Sequence, residues 1–395
     1  MINDIMSICK LREEPLIQLR RKLHTVPEIG SKLPETRKIV CAWLDDKGIP
    51  YSLNPNDDGL VAEIRGEGTG RMIAFRADMD GLHVKEETGA SFQSKIEGQM
   101  HGCGHDAHTA MLLVAAELLN EHRHELNGTV RLLFQSGEET GTGAKCMIAR
   151  GALENVDAIC AVHVGNLAGE DHRTGELIVL PGPVSAGKDK FTITIHGEGT
   201  HSAFPEKGVD PILIAARIVN ACEEISAREL PAGTAAVLSF GSFQAGEDHN
   251  TIPSTAVLKG SIRVQDEKMR SMIGERLICI SQNIATAFRG TCDVEIKKGS
   301  QTVVNDAELS DFVANSIAEA IGKDQLVTRT TSALMGSDDF ANYASRIPGV
   351  YFFLHTNNAD TGIVVSNHNP RFDVDESVLW RGVAAYVAIA ANYLK

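Results

Sequence analysis

Leu180-Pro181-Gly182-Pro183, followed shortly by Phe191-Thr192-Ile193-Thr194-Ile195, decides how this 395-residue chain is organised. Proline fixes φ and removes a backbone donor, and glycine frees the chain, so the first stretch ends one unit. The strict alternation of the second predicts a strand with one buried face. Beyond it the pattern reads as a helix near Asp210 to Arg228, strands near Ala235 to Phe243 and Thr255 to Arg263, a helix near Glu267 to Phe288, and a strand near Cys292 to Ile296. That order, βαββαβ, is a ferredoxin-like plan.

On either side the pattern differs. From Leu16 to about Phe134, amphipathic helices alternate with apolar strands such as Leu60 to Ile64 and Met72 to Phe75, which implies a sheet covered by helices. After Gly299 this α/β pattern resumes, with helices near Leu309 to Ile321 and Ser377 to Leu394 and a strand near Val350 to Leu354. The expected class is therefore α/β, with a discontinuous domain built from residues 1–184 and 299–395 and an insertion at 185–298.

Composition narrows the function classes. With 43% hydrophobic and 23% charged residues the chain is long enough for a substantial core. The apolar stretch Met111 to Leu119 is too short for a bilayer, and Arg381 interrupts the C-terminal helix. Met1-Ile2-Asn3-Asp4 carries acid where a secretory signal has a basic segment, so the reading is cytoplasmic. Eight cysteines without paired spacing read as reduced thiols. A net charge of −14 and a pI near 5.5 argue against nucleic acid as a partner.

Four motifs carry chemistry. His101-Gly102-Cys103-Gly104-His105-Asp106-Ala107-His108 crowds a thiol and imidazoles into a glycine-broken loop, which suits a metal site through Cys103 and His105; a buried, inert Cys103 is the alternative. Gln135-Ser136-Gly137-Glu138-Glu139 follows the apolar run Thr129 to Phe134. Adjacent carboxylates at a strand end repel unless cations or protons relieve them, which suits Glu139 as ligand and Glu138 as free base; an acidic surface loop is the alternative. The run Val156 to Val162 delivers His163, and Ser366-Asn367-His368-Asn369-Pro370 presents His368 in a polar turn. Each histidine alone reads as structural. Together Cys103, His105, Glu139, His163 and His368 are enough donors for two metals with open positions.

These residues resemble the two-metal amidohydrolases of the aminoacylase and carboxypeptidase type, in the branch of hippurate hydrolase, bacterial N-acyl-amino-acid hydrolases and plant indoleacetyl-amino-acid hydrolases. The resemblance runs from Arg20-Arg21-Lys22-Leu23-His24 with Pro27-Glu28, through Arg76-Ala77-Asp78-Met79-Asp80, to His368-Asn369-Pro370-Arg371-Phe372-Asp373. It implies a zinc-peptidase-like catalytic domain, a mixed sheet flanked by helices, interrupted by a lid and dimerisation domain. It further implies a homodimer and two divalent ions, zinc or manganese with cobalt or nickel possible. The implied reaction is hydrolysis of the amide of an N-acyl amino acid by a metal-bound water, with Glu138 as general acid and base. Peptidase branches carry histidine where Ala77 stands before Asp78, which favours the branch in which Cys103 is a ligand. By the same resemblance Asp78 supports His105, His201 in Gly199-Thr200-His201-Ser202 reaches the reacting carbonyl, and Asn250 and Arg263 hold substrate. Read without it, His201 is a surface turn residue and Arg263 a strand-end ion pair. Asp106 reads either as a support for the loop or as a helix N-cap. Glu206 and His355 depart from the family, whose members carry histidine and glycine there, and Gly336-Ser337-Asp338-Asp339-Phe340 has a shorter acid than usual. Competing readings are a dipeptidase or carboxypeptidase, a Cys103–His nucleophilic pair, and a catalytically silent metal-binding relative.

Overall fold

A computed structural model describes residues 4–169, 171–330 and 332–395, and these fall into two compact units. The first takes Met1–Val184, Val303–Leu334 and Asp338–Lys395; the second takes Ser185–Thr302 and Met335–Ser337. After a short helix over Ile5–Lys10, the first runs through helices α1 (Glu13–His24) and α2 (Pro34–Asp46) and strands β1 (Tyr51–Leu53), β2 (Leu60–Arg65) and β3 (Met72–Asp78). It continues through α3 (His105–Glu121), β4 (Thr129–Gln135), β5 (Ala158–Gly165) and β6 (Leu177–Ile178). The second unit supplies β7 (Gly187–His196), α4 (Pro211–Glu224), β8 (Ala236–Ala245), β9 (Thr255–Val264), α5 (Glu267–Ala287) and β10 (Thr291–Lys298). The chain then returns with α6 (Ala307–Ile321), β11 (Leu326–Val327), β12 (Gly349–His355) and α7 (Trp380–Tyr393).

The first unit is a mixed eight-stranded sheet in the order β1-β2-β4-β3-β5-β12-β6-β11. Its middle strands β4, β3, β5 and β12 are mutually parallel, and every residue of β5 and β12 is buried. Such strands have no solvent face, which is why they read as apolar runs rather than alternations. Alternate side chains of β12 feed two cores: Val350, Phe352 and Leu354 pack on the side of α3 and α7, while Tyr351 and Phe353 pack on the side of Phe340 and Tyr343. Removing Phe352 to alanine would cost about 3–5 kcal/mol, since no solvent is near to refill the cavity. On α3 every residue from His105 to Leu119 is buried, so this helix is held on all sides and its first turn is rigidly placed.

Parallel strands share one carboxyl edge. Asp78 ends β3, Gln135 ends β4, His163 lies near the end of β5 and His355 ends β12, so all four approach the same rim. Clefts at that rim are where open α/β sheets place their chemistry.

The second unit is a four-stranded antiparallel sheet in the order β8-β9-β7-β10. Phe191, Ile193 and Ile195 alternate inward along β7 and pack with Ile214 and Ile218 of α4 and Ile273 and Leu277 of α5.

Several element ends differ from the sequence expectation. The strand carrying His163 runs on to Gly165, because its ladder with β12 continues to the pair His355 and Gly165. The last helix starts at Trp380, since Asp375 accepts from the Ser377 N–H and closes a separate 3-10 turn over Glu376–Val378. Among the described residues no helix is long and apolar enough to cross a membrane.

Candidate metal centre

Five donors meet beyond the rim. Cys103 and His105 flank Gly104, which caps α3 with φ +85°, and a Cβ at Gly104 would lie 2.3 Å from Cγ2 of Val164. Only glycine takes that conformation and that contact cheaply. Glu138 and Glu139 sit in the turn after β4, and His163 points from β5. His368 has φ 69°, unusual for a residue with a side chain, and its N–H donates to the Gly102 carbonyl at 2.7 Å. That bond fixes the C-terminal turn onto the Cys103 loop.

The donor atoms of Cys103, His105 and His163 lie within 4.8 Å of one another, as do those of Cys103, Glu139 and His368, and those of His105, Glu138 and Glu139. Cys103 Sγ is 3.5 Å from His163 Nε2, and His368 Nε2 is 3.4 Å from Glu139 Oε1. Ligands held at about 2.0–2.3 Å from a tetrahedral cation stand roughly 3.3–3.8 Å apart.

The protons are arranged to suit ligation. His105 Nδ1 donates to the Asp80 carbonyl at 2.8 Å and His163 Nδ1 to the Val164 carbonyl at 2.7 Å. A carbonyl can only accept, so each Nδ1 carries a proton; His163, held neutral, turns its Nε2 lone pair to the cluster, while burial opposes but Asp78 favours a proton on His105, which a bound cation would displace from Nε2. His105 Nε2 is buried without a hydrogen-bond partner among the described residues, which costs about 1–3 kcal/mol unless something binds it. Divalent cations fit this donor set. Burial, with Glu139 nearby, pushes the Cys103 thiol up to about 12, so a thiolate there needs a cation beside it. Burial, followed by the neighbouring His108, holds His163 well below the usual imidazole range and therefore neutral.

Glu138 is differently placed. Burial and then the charges of Asp338, Asp339 and Glu139 hold its carboxyl well above the usual range. Its Oε1 accepts from the Asp339 N–H at 3.3 Å. A proton-hungry carboxylate next to the donor cluster has the properties of a general base.

The supporting groups depart from the sequence expectation. Asp78 was expected to orient His105, but its Oδ1 takes His108 Nδ1 at 2.6 Å, and its Oδ2 lies 3.6 Å from His105 Nε2. The Asp80 carbonyl holds His105 instead, being the acceptor within reach of Nδ1. His108 Nε2 accepts from the Val164 N–H at 2.9 Å, so both of its nitrogens are committed within the protein. Asp106 is not the cap of α3: it receives Arg20 Nε and His24 Nδ1, each at 2.7 Å.

Sequence reasoning gave no role to two further groups. Asp80 accepts the N–H groups of Glu138 and Glu139 on its two oxygens, at 3.0 and 3.1 Å. Arg76 bonds Asp78 at 2.5 Å, Asp339 at 2.9 Å, Gln135 at 3.1 Å and Asp338 at 3.2 Å, tying the floor beneath Glu138. The signal for Asp80 was present, because Arg76, Asp78 and Asp80 alternate along one extended run and share its face.

His201, Asn250 and Arg263 belong to the second unit. His201 pairs with Thr251 in a short antiparallel ladder, and the Ser202 N–H donates to the Asn250 carbonyl at 2.9 Å, so His201 and Asn250 are neighbours on an exposed turn. Arg263 lies near the other end of β9, half-buried, and donates to the Met335 carbonyl at 2.9 Å rather than to a carboxylate.

Residues 74–392 match the model of Peptidase family M20/M25/M40. The chain belongs to this family. Within it, thermostable carboxypeptidase 1 of Saccharolobus solfataricus is 35% identical over 398 residues, spanning 99% of this chain and 97% of that protein. N-acetyl-L-cysteine deacetylase of Bacillus subtilis is 35% identical over 367 residues, spanning 93% and 85%. The crystal structure of the Bacillus subtilis YXEP protein, described as a dinuclear metal binding peptidase from the M20 family, aligns with a TM-score of 0.84 at 32% identity, over 98% of this chain and 99% of that one.

Proposed function

We propose that this M20/M25/M40 family member is a metal-dependent amidohydrolase that cleaves the amide of N-acyl amino acids to a carboxylic acid and a free amino acid. The observation that carries the reading is a buried, proton-hungry Glu138 beside a cluster of five unlike donors, Cys103, His105, Glu139, His163 and His368. A pure binding site has no use for an extra, repelled carboxylate. In this reading the five donors hold two divalent ions, zinc or manganese, with cobalt or nickel also compatible with mixed sulfur, nitrogen and oxygen ligands. Bound there, the ions supply Lewis acidity toward a carbonyl and a lowered pKa for water.

The chain's own residues then do the proton work. Glu138 accepts a proton from the attacking water as its oxygen bonds the amide carbon. When the C–N bond breaks, Glu138 returns that proton to the leaving nitrogen. Asp80 keeps the Glu138 main chain in place, and the Asp339 N–H orients its carboxylate. His201 is assigned to the developing charge on the carbonyl oxygen, and Asn250 with Arg263 to the substrate, Arg263 because a guanidinium forks onto a carboxylate. The second unit, with its strand order and exposed turn, is assigned as lid and homodimerisation domain, and the protein as cytoplasmic.

The identity to a carboxypeptidase keeps cleavage of small peptides as the second reading. Purified protein offered N-acetyl amino acids, N-benzoyl amino acids and dipeptides in parallel separates the two. Faster turnover of the N-acyl series, abolished by chelation and restored by manganese or zinc, supports the proposal. Activity that survives chelation but not thiol alkylation would assign the chemistry to Cys103 as a nucleophile instead.

A further inference from the structure

Arg20 sits on the buried face of α1, and its guanidinium meets acids from two distant parts of the chain. Nε donates to Asp106 Oδ2 at 2.7 Å. Nη2 donates to Asp373 Oδ1 at 2.8 Å and Nη1 to Glu376 Oε1 at 3.1 Å. The ring of Phe92 covers one face of the guanidinium, 5.0 Å from Cζ to the ring centre.

These acids flank proposed metal ligands. Asp106 follows His105 directly in the first turn of α3. Asp373 comes five residues after His368, and Glu376 opens the 3-10 turn that ends the same segment. The two ligand-bearing segments also touch without Arg20. The His368 N–H donates to the Gly102 carbonyl at 2.7 Å, Asn367 Nδ2 donates to the Cys103 carbonyl at 3.2 Å, and the buried ring of Phe372 stands against Gly104.

Those contacts are between neutral groups, and the hydrogen bonds hold only the near end of the C-terminal segment. His368 keeps φ 69°, a conformation that persists in a residue with a side chain when the surroundings over-determine it. The Gly102 bond constrains the turn at His368, and the Arg20 bonds constrain it beyond. Charge-assisted bonds are roughly twice as strong as neutral ones. Burial opposes charge on Arg20, but Asp106, then Asp373 and Glu376, outweigh it and keep the guanidinium ionised. Reaching three carboxylates in different directions uses the planar fork, which the point charge of a lysine does not reproduce.

His368 is the donor most dependent on such support. Its side chain is exposed, whereas those of Cys103, His105 and His163 are buried. Among the described residues His368 groups with Cys103 and Glu139 alone, while Cys103, His105 and His163 form a group without the C-terminal segment.

We propose that Arg20 is a positioning residue for the metal centre, a bridge that holds His368 at ligand distance from the Cys103 loop and thereby governs the ion bound by Cys103, Glu139 and His368. The ion held by Cys103, His105 and His163 does not depend on it. This rests on the two-ion reading of the site.

The test is a zinc titration of metal-free protein in competition with a chromophoric chelator, which resolves two successive dissociation constants without turnover. Circular dichroism checks that each metal-free protein is folded. The step that His368→Ala abolishes identifies the ion in question. Arg20→Lys keeps the buried charge and loses the fork. It should raise the Kd of that step about 10–100-fold, the size of effect seen when a ligand's support is lost, while the other step stays within about threefold. Asp373→Ala cuts the same bridge at a side chain 26% exposed, and decides the matter should Arg20→Lys fail to fold; the same step should weaken. Arg21→Gln removes a neighbouring cation bonded to Glu376, and should leave both steps within about threefold. Unshifted constants in the bridge variants, equal weakening of both steps, or an equal loss in Arg21→Gln would overturn the assignment, because a general loosening of the fold moves both constants together. Wild type that takes up no zinc would overturn the two-ion reading and the bridge with it; wild type that binds two ions beside unshifted bridge variants overturns the bridge alone.

Discussion

The main-chain N–H of Glu138 donates to Oδ1 of Asp80 at 3.0 Å. With the other oxygen accepting from Glu139 at 3.1 Å and its carbonyl accepting from His105 Nδ1 at 2.8 Å, Asp80 holds together the proposed base and two of the proposed metal ligands. Replacing it by alanine frees the turn after β4 while leaving every proposed ligand in the sequence. Loss of such a supporting group typically costs about 10–100-fold in metal affinity or activity. Asp80→Ala should therefore bind zinc and manganese more weakly and turn over more slowly by that order; unchanged metal affinity and kcat would show that the clamp is idle.

Glu138→Gln separates base from ligand. The amide keeps the shape and removes the proton acceptor, so bound metal should match wild type in elemental analysis while kcat falls about 10²–10⁴-fold. Full activity in this variant would remove Glu138 from the mechanism.

The buried network of Arg20, His24, Glu86 and Asp106 gives a pH signature of its own. Burial opposes charge on His24, but Asp106 at 2.7 Å, helped by Glu86, outweighs it and pushes the imidazole up to about 9. A group with a raised folded pKa adds stability that is complete below its unfolded pKa of about 6.5 and disappears as the pH rises through the folded value. The shift corresponds to roughly 3 kcal/mol. In urea titrations, the stability gap between wild type and His24→Gln should be largest near pH 6 and shrink by pH 10. A gap that widens with pH would contradict the charged pairing.

Much of this site was legible in the chain because its parts sit in local motifs. The glycine-broken HGCGHDAH run and the Glu138-Glu139 pair announce donors without help from tertiary structure, and strand-ending runs place His163 at a rim. What was not legible is partner choice. Asp78 and Asp80 share one face two residues apart, and spacing alone does not say which meets His105 and which meets His108. The Arg76 network joins Asp78 to Asp338 and Asp339 across more than 250 positions of sequence, a closure that no local pattern encodes. The left-handed backbone of His368 is equally a product of its bond to Gly102 rather than of its own preference.

The count of metal ions per chain tests the central claim most directly. Protein saturated with zinc or manganese and freed of loose metal should carry two ions by elemental analysis, falling to one or fewer in Cys103→Ala and in His163→Ala. A wild-type chain that retains none would contradict the account.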